Sequence, residues 1–179
     1  PVFSMGKLVG VDWHLGPAMK STGEVMGVDR DFAGALSKAL LAANLNLTRK
    51  MGVLLSIADQ NKAEALDLIR ELGQAGCPLY ATEGTAAMIA ALGIPVTVAN
   101  KRLGEGHPNV VDLITEGTVG AVINTLSGDT SVMQDGFFIR RAAVERQIPC
   151  FTSLDTARAA VEGLLTERNT YSVLPTKEY

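Results

Sequence analysis

The residues of this chain best suited to chemistry are Thr82, Glu83, Gly84 and Thr85, which follow the short apolar run Leu79-Tyr80-Ala81 and lead into an alanine-rich stretch. A strand that ends where a helix begins leaves several backbone N–H groups without partners. These groups face the place a phosphate oxygen would take, and the helix dipole adds to the attraction. Gly84 lets the backbone approach an anion closely, while Thr82 and Thr85 supply hydroxyl donors. The same joint also serves as an ordinary cap or turn, so other parts of the chain must decide between the two readings.

The elements that would have to hold such a cradle are written in a regular alternation. From Gly52 onward short apolar runs, 53–57, 78–82, 94–99, 120–124 and 149–152, predict strands. Between and after them helices are predicted over 62–74, 85–92, 109–116, 135–147 and 155–165, with Gly76, Gly93 and Gly117 at or just after the first three helix ends, as left-handed caps require. This order implies an α/β fold with a mainly parallel, roughly five-stranded sheet covered on both faces. Ligands of such sheets bind outside the carboxyl ends of the strands. Those ends carry Ser56, followed by Lys62; Thr82 to Thr85; Asn100-Lys101; Asn124-Thr125-Leu126-Ser127-Gly128; and Thr152-Ser153. Hydroxyls, amides, glycines and two lysines on one edge form a pattern that a single cap does not explain.

Ahead of this region, residues 1–28 are broken by Gly6, Gly10, Gly16-Pro17, Gly23 and Gly27 and could not build a core alone. Asp29 or Asp31 then caps a helix reaching about Asn44, with Phe32, Leu36, Ala39, Leu40 and Ala43 on one face. A domain boundary is placed between residues 48 and 49. The 179 residues suit one ordinary domain, or one with an attached piece of another; 47% are hydrophobic and 20% charged, as in a globular core. The net charge of −3 without a lysine and arginine cluster argues against a nucleic-acid surface, and no apolar run is long enough to span a bilayer. Cys77 and Cys150 read as reduced core residues, which suits a cytoplasmic location better than a disulfide. Pro1-Val2-Phe3 is neither an initiator methionine nor a signal sequence, and a piece of a longer chain is expected.

Taken together, Leu54-Leu55-Ser56 with Lys62 six residues on, Ala81-Thr82-Glu83-Gly84-Thr85, Asn100-Lys101, Glu105-Gly106-His107-Pro108 and Ile123-Asn124-Thr125 resemble the methylglyoxal-synthase-like domain of carbamoyl phosphate synthase large chains. Gly10-Val11-Asp12, Leu15-Gly16-Pro17 and the run from Met19 to Gly27 resemble the end of the second ATP-grasp half of the same family. The resemblance implies a Rossmann-like three-layer sandwich over 49–179 behind an ATP-grasp remnant at 1–48. It implies an allosteric rather than catalytic domain that binds a nucleotide monophosphate, UMP or IMP in bacterial members, with ornithine acting at a neighbouring interface. The parent enzyme makes carbamoyl phosphate from bicarbonate, glutamine-derived ammonia and ATP with Mg or Mn, for pyrimidine and arginine biosynthesis. Its partners are the rest of the large chain and the glutaminase small chain. No cofactor or metal is implied for this part.

Carried over residue by residue, the phosphate-contacting positions match Ser56, Lys62, Thr82, Thr85 and Lys101, with Gly84 in the turn and Asn124 and Thr125 nearer the ribose or base. Bonds of this kind, each worth about 0.5 to 3 kcal/mol, would together support roughly micromolar binding. Ala18 stands where the family usually has a glutamate before Met19, and two further departures fall at the site itself. Leu126 stands where a second threonine is common, and Glu83 puts a carboxylate in the turn that must face a ribose hydroxyl, a lysine or solvent.

The alternatives are a free-standing methylglyoxal synthase, a purine cyclohydrolase domain of the same fold, and an interaction domain without a ligand. The synthase needs a carboxylate base beside the cradle, and its Gly-Gly-Asp stretch is replaced here by Leu103-Gly104-Glu105-Gly106-His107. His107 reads as a loop or ribose-side group, not a metal ligand. Of Arg140 and Arg141, one is expected to face solvent and the other to pair with a carboxylate or a neighbouring domain. Met5, Met19 and Met26 suggest an apolar side that would favour self-association.

Overall fold

A computed structural model describes residues 25–45, 47–100, 106–126, 130–165, 175 and 178. Five strands form one sheet: β1 Val53–Ser56, β2 Leu79–Thr82, β3 Thr97–Ala99, β4 Ala121–Asn124 and β5 Cys150–Phe151. Their order is β3-β2-β1-β4-β5 and every pairing is parallel, with Leu54 opposite both Tyr80 and Val122. The helices are α1 Phe32–Ala42, α2 Lys62–Gln74, α3 Glu83–Ala91, α4 Val110–Thr115, α5 Thr130–Glu145 and α6 Leu154–Leu165, and a turn of 3-10 helix at Asp59–Asn61 precedes α2.

The central position of β1 follows from its composition. Val53-Leu54-Leu55-Ser56 is buried throughout, as a strand covered on both faces must be. Successive side chains point to opposite faces. Leu55, with Ala81, Ile123 and Phe151, meets Leu68 and Ile69 of α2, Ile89 of α3 and Val161 of α6. Leu54, with Ala99 and Val122, meets Val110 and Leu113 of α4 and Ile139 and Ala143 of α5. Two apolar cores therefore lie either side of the sheet, giving the three-layer sandwich. Helix α2 buries Ala65, Leu68, Ile69 and Leu72, one stripe at helical spacing. Helix α1 packs on α6, and Leu40 and Leu47 join the first core.

Gly76, Gly93 and Gly117 all adopt the left-handed conformation, with φ of 75°, 74° and 77°, and end α2, α3 and α4 as their spacing predicted. Strand β3 is shorter than the apolar run 94–99. Pro95 has no N–H to give a neighbouring strand, and the Ile94 N–H is used on Ile89 O, closing α3. Helix α5 begins at Thr130, earlier than the predicted residue 135. Cys77 and Cys150 are buried thiols, not joined in a disulfide, and burial raises the Cys77 thiol above its ordinary value. Among the described residues no helix is long and apolar enough to cross a membrane.

Short α4 is held by its first residues. Asn109 Oδ1 accepts from the N–H groups of Val111 and Asp112, both at 3.0 Å, and Asp112 accepts in return from Asn109 and from His107 Nδ1. Desolvation acts against the Asp112 charge, but the bonds from His107 and Asn109 outweigh it and hold the carboxyl below its ordinary value of 3.8. A carboxyl with a depressed value stabilises the fold above the unfolded-state value and loses that contribution as the pH falls through the folded one. The stability gap between the parent chain and Asp112→Asn should therefore be open at neutral pH and narrow progressively below 3.8, as urea midpoints across that range would record.

Candidate functional site

Three of the predicted site residues end strands side by side: Ser56 closes β1, Thr82 closes β2 and Asn124 closes β4, with Ser56 in register with Asn124. Their side chains are buried, so they shape the site from beneath. The segment leaving β1 is gripped from both flanks. Thr85 Oγ1, in the first turn of α3, accepts from Ile57 N–H at 3.1 Å, and Thr125 Oγ1, just past β4, accepts from Ala58 N–H at 2.7 Å. Thr82 Oγ1 donates to Thr85 Oγ1 at 3.4 Å, and Thr125 N–H donates to Ser56 O at 3.2 Å. These bonds use the two threonine oxygens as acceptors, which leaves each hydroxyl its own proton to give to an anion.

This grip determines where Lys62 stands. The chain passes through the 3-10 turn into α2, whose first residue is Lys62. Its ammonium lies over the start of α3: a Cβ built on Gly84 would sit 3.1 Å from Lys62 Nζ. A cation, two threonine hydroxyls and the first backbone amides of α3 thus meet at one strand-to-helix joint. Lys62 Nζ is also paired with Asp59 Oδ1 at 2.7 Å, a contact the sequence spacing did not reveal, and the Asp59 side chain is 94% exposed. Glu83 is exposed, so its carboxylate faces solvent.

The remaining predicted residues fall as follows. Asn124 is 3% exposed, and both ends of its amide are engaged: Nδ2 donates to Ser56 O at 3.3 Å, and Oδ1 accepts from Arg140 Nη1 at 2.8 Å. Lys101 lies outside the described residues. Asn100, before it, is bridged to Asn109 on the β3 side of the sheet. His107 is used on Asp112. Among the described residues no group of three His, Cys, Asp or Glu could hold a metal.

An open polar cleft of about 290 Å³ lies on the other flank, between the ends of β4 and β5 and the starts of α2 and α6. Its walls include Gln60, Thr125, Leu126, Thr152 and Ser153. Leu126 contributes to the wall, and its carbonyl accepts from Gln60 Nε2 at 3.2 Å. Of the described residues assigned to the effector, Thr125 lines this cleft, so cradle and cleft are neighbours with one shared wall.

Gly84 separates the demands of folding and binding. Alanine there suits α3 better and should raise stability by up to about 1 kcal/mol. Its methyl would also push the Lys62 ammonium aside from its 3.1 Å approach. Gly84→Ala is therefore expected to melt slightly higher and to weaken any phosphate binding at this joint severalfold, as thermal denaturation and calorimetry with inorganic phosphate together would show.

A five-stranded parallel sheet with hydroxyls, a lysine and a glycine turn on its carboxyl edge defines a class: the chain belongs to the MGS-like domain family, whose model matches residues 64–152. Along all of its 179 residues it is 55% identical to the carbamoyl phosphate synthase large chain of Thermomicrobium roseum (strain ATCC 27502 / DSM 5159 / P-2). It spans 17% of that relative's length.

Proposed function

We propose that the chain is the regulatory part of a glutamine-hydrolysing carbamoyl phosphate synthase large chain and that it binds a phosphorylated nucleotide of the UMP or IMP type. The observation that carries this reading is the Lys62 ammonium lying over Gly84, where α3 begins beside Thr82 and Thr85. Backbone donors, a positive charge and the Thr85 hydroxyl proton at one helix start suit a phosphate monoester. Ser56 and Lys101 complete the phosphate side, and Thr125 lies toward the nucleoside.

The full-length likeness to a carbamoyl phosphate synthase large chain supports the parent. That enzyme would be a ligase joining bicarbonate, glutamine-derived ammonia and phosphate from ATP, with Mg or Mn, in the cytoplasm, for pyrimidine and arginine biosynthesis. Residues 1–48 would belong to its ATP-grasp half and 49–179 to the regulatory domain, with the glutaminase small chain as partner. The regulatory part catalyses nothing itself. Its effector acts by binding one state of the large chain more tightly than another, and only that difference is transmitted.

Isothermal titration of the chain with UMP, IMP, inorganic phosphate and uridine tests the reading. Roughly micromolar affinity for a monophosphate and none for uridine is expected. Equal affinity for uridine, or no heat from any of the four, would contradict it. Turnover of dihydroxyacetone phosphate would replace it with the synthase.

A further inference from the structure

The buried guanidinium of Arg140 has no place in the binding scheme above, and its surroundings give it one. Its neighbour Arg141 behaves as a helix-surface arginine does, donating to Glu145 one turn on. Arg140 is instead 1% exposed, set in α5 beside Ile139 and Ala143 of the second core. Burying a charge is unfavourable unless its donors are used.

We propose that Arg140 is a positioning residue for the anion cradle, acting through Asn124. This rests on the cradle being the phosphate site. A guanidinium has donors only, so the Asn124 oxygen must face it and the Asn124 NH₂ must face Ser56 O. Orientation of the amide is thus set by chemistry. Ser56 O also accepts from Thr125 N–H, and Thr125 Oγ1 in turn accepts from Ala58 N–H. The series Arg140, Asn124, Ser56, Thr125, Ala58 runs from α5 across the ends of β4 and β1 to the segment that delivers Lys62. Holding that segment before a ligand arrives removes an ordering cost from binding.

Gly136, one turn ahead of Arg140, supports the assignment independently. A Cβ at that position would lie 2.6 Å from Arg140 Nη1 and 3.2 Å from Asn124 Oδ1. Glycine weakens a helix interior, and here its lack of a side chain is what admits the guanidinium to the amide.

The test compares the parent chain with Arg140→Gln, Arg140→Lys, Asn124→Ala, the Arg140→Gln/Asn124→Ala pair and Gly136→Ala, which crowds the guanidinium without removing its charge. UMP affinity is measured by calorimetry and amide hydrogen exchange by NMR. Arg140→Gln is expected to weaken UMP about tenfold, with partial recovery in Arg140→Lys, and the double variant should bind no worse than the weaker single variant. Exchange should speed up at Ala58 and Thr125 but not at Leu68 inside α2. Additive losses of affinity, or exchange that rises equally at Leu68, would overturn the proposal by making Arg140 a general stabiliser. If Arg140→Gln does not fold, Gly136→Ala must show the same local exchange and weaker binding, or the proposal fails. Should the parent chain bind neither UMP nor inorganic phosphate, the phosphate reading falls. The exchange pattern then still decides whether Arg140 holds the β1–β4 edge.

Discussion

Replacing Lys62 with methionine should weaken UMP binding by roughly ten- to a hundredfold, about 1.4 to 2.8 kcal/mol, the range expected for one charge-assisted bond to a phosphate. Methionine keeps the length and most of the packing of the side chain and removes only the charge and its donors. The loss should act through the phosphate, so that inorganic phosphate weakens along with UMP. Stability should hardly change, because the ammonium pairs with the exposed Asp59 and exposed pairs contribute about 0 to 1 kcal/mol. Asp59→Asn should move affinity the opposite way. A phosphate must share Lys62 with the Asp59 carboxylate, and removing that competitor is expected to tighten UMP by a few fold. Calorimetry on both variants reads the two signs; weaker binding in each would mean that Asp59 positions Lys62 more than it competes for it.

Leu54→Ala is expected to cost about 2 to 5 kcal/mol, the largest stability change of any single substitution considered. Leu54 is fully buried in the middle strand, between Tyr80 of β2 and Val122 of β4, and points into the core under α4 and α5. Removing its isobutyl group leaves a cavity that neighbours hydrogen-bonded on both sides cannot close. Against a total of about 5 to 15 kcal/mol this is a large share, and it should lower the melting temperature by roughly 5 to 15 °C. Val98→Ala is the contrast. That side chain is 53% exposed on the edge strand β3, and its loss should fall within about 0.5 kcal/mol. Urea denaturation of the two variants checks the ranking, and equal losses would mean that β3 is covered in solution.

Much of this architecture was legible in the chain because it depends on local pattern. Val53-Leu54-Leu55 and Ala121-Val122-Ile123 are unbroken apolar runs, which parallel strands buried on both faces require. The α2 stripe predicted 62–74 and the helix has those bounds. Gly76, Gly93 and Gly117 stop helices for a reason that resides in glycine itself. Asp31 was one of two candidates for the first cap, and its carboxylate accepts from Gly34 N–H at 2.7 Å.

Other features depended on contacts across the fold. No spacing in the sequence shows that Thr85 and Thr125, forty residues apart, grip successive amides of one segment. Both belong to the expected ligand set, and their oxygens also hold the β1 exit. Arg140 looked like one of two interchangeable helix arginines, and only the packing of α5 against β4 separates it from Arg141. A polar residue beside a glycine one turn earlier, on the face that carries Ile139 and Ala143, was the available signal. The apolar run 94–99 was read through Pro95, whose missing N–H shortens β3.

In the proposed site a phosphate sits between the β1 exit and the start of α3, and not in the polar cleft beyond β4. Backbone amide NMR of the chain titrated with UMP tests it most directly. The largest shifts are expected at Ile57, Ala58 and the amides from Glu83 to Thr85, with smaller ones at Thr125 and little change from Thr152 to Asp155. Shifts confined to Thr152, Ser153 and Asp155, with the Glu83 to Thr85 amides unmoved, would place the ligand in the cleft and contradict the assignment of Lys62, Thr82 and Thr85 to the phosphate.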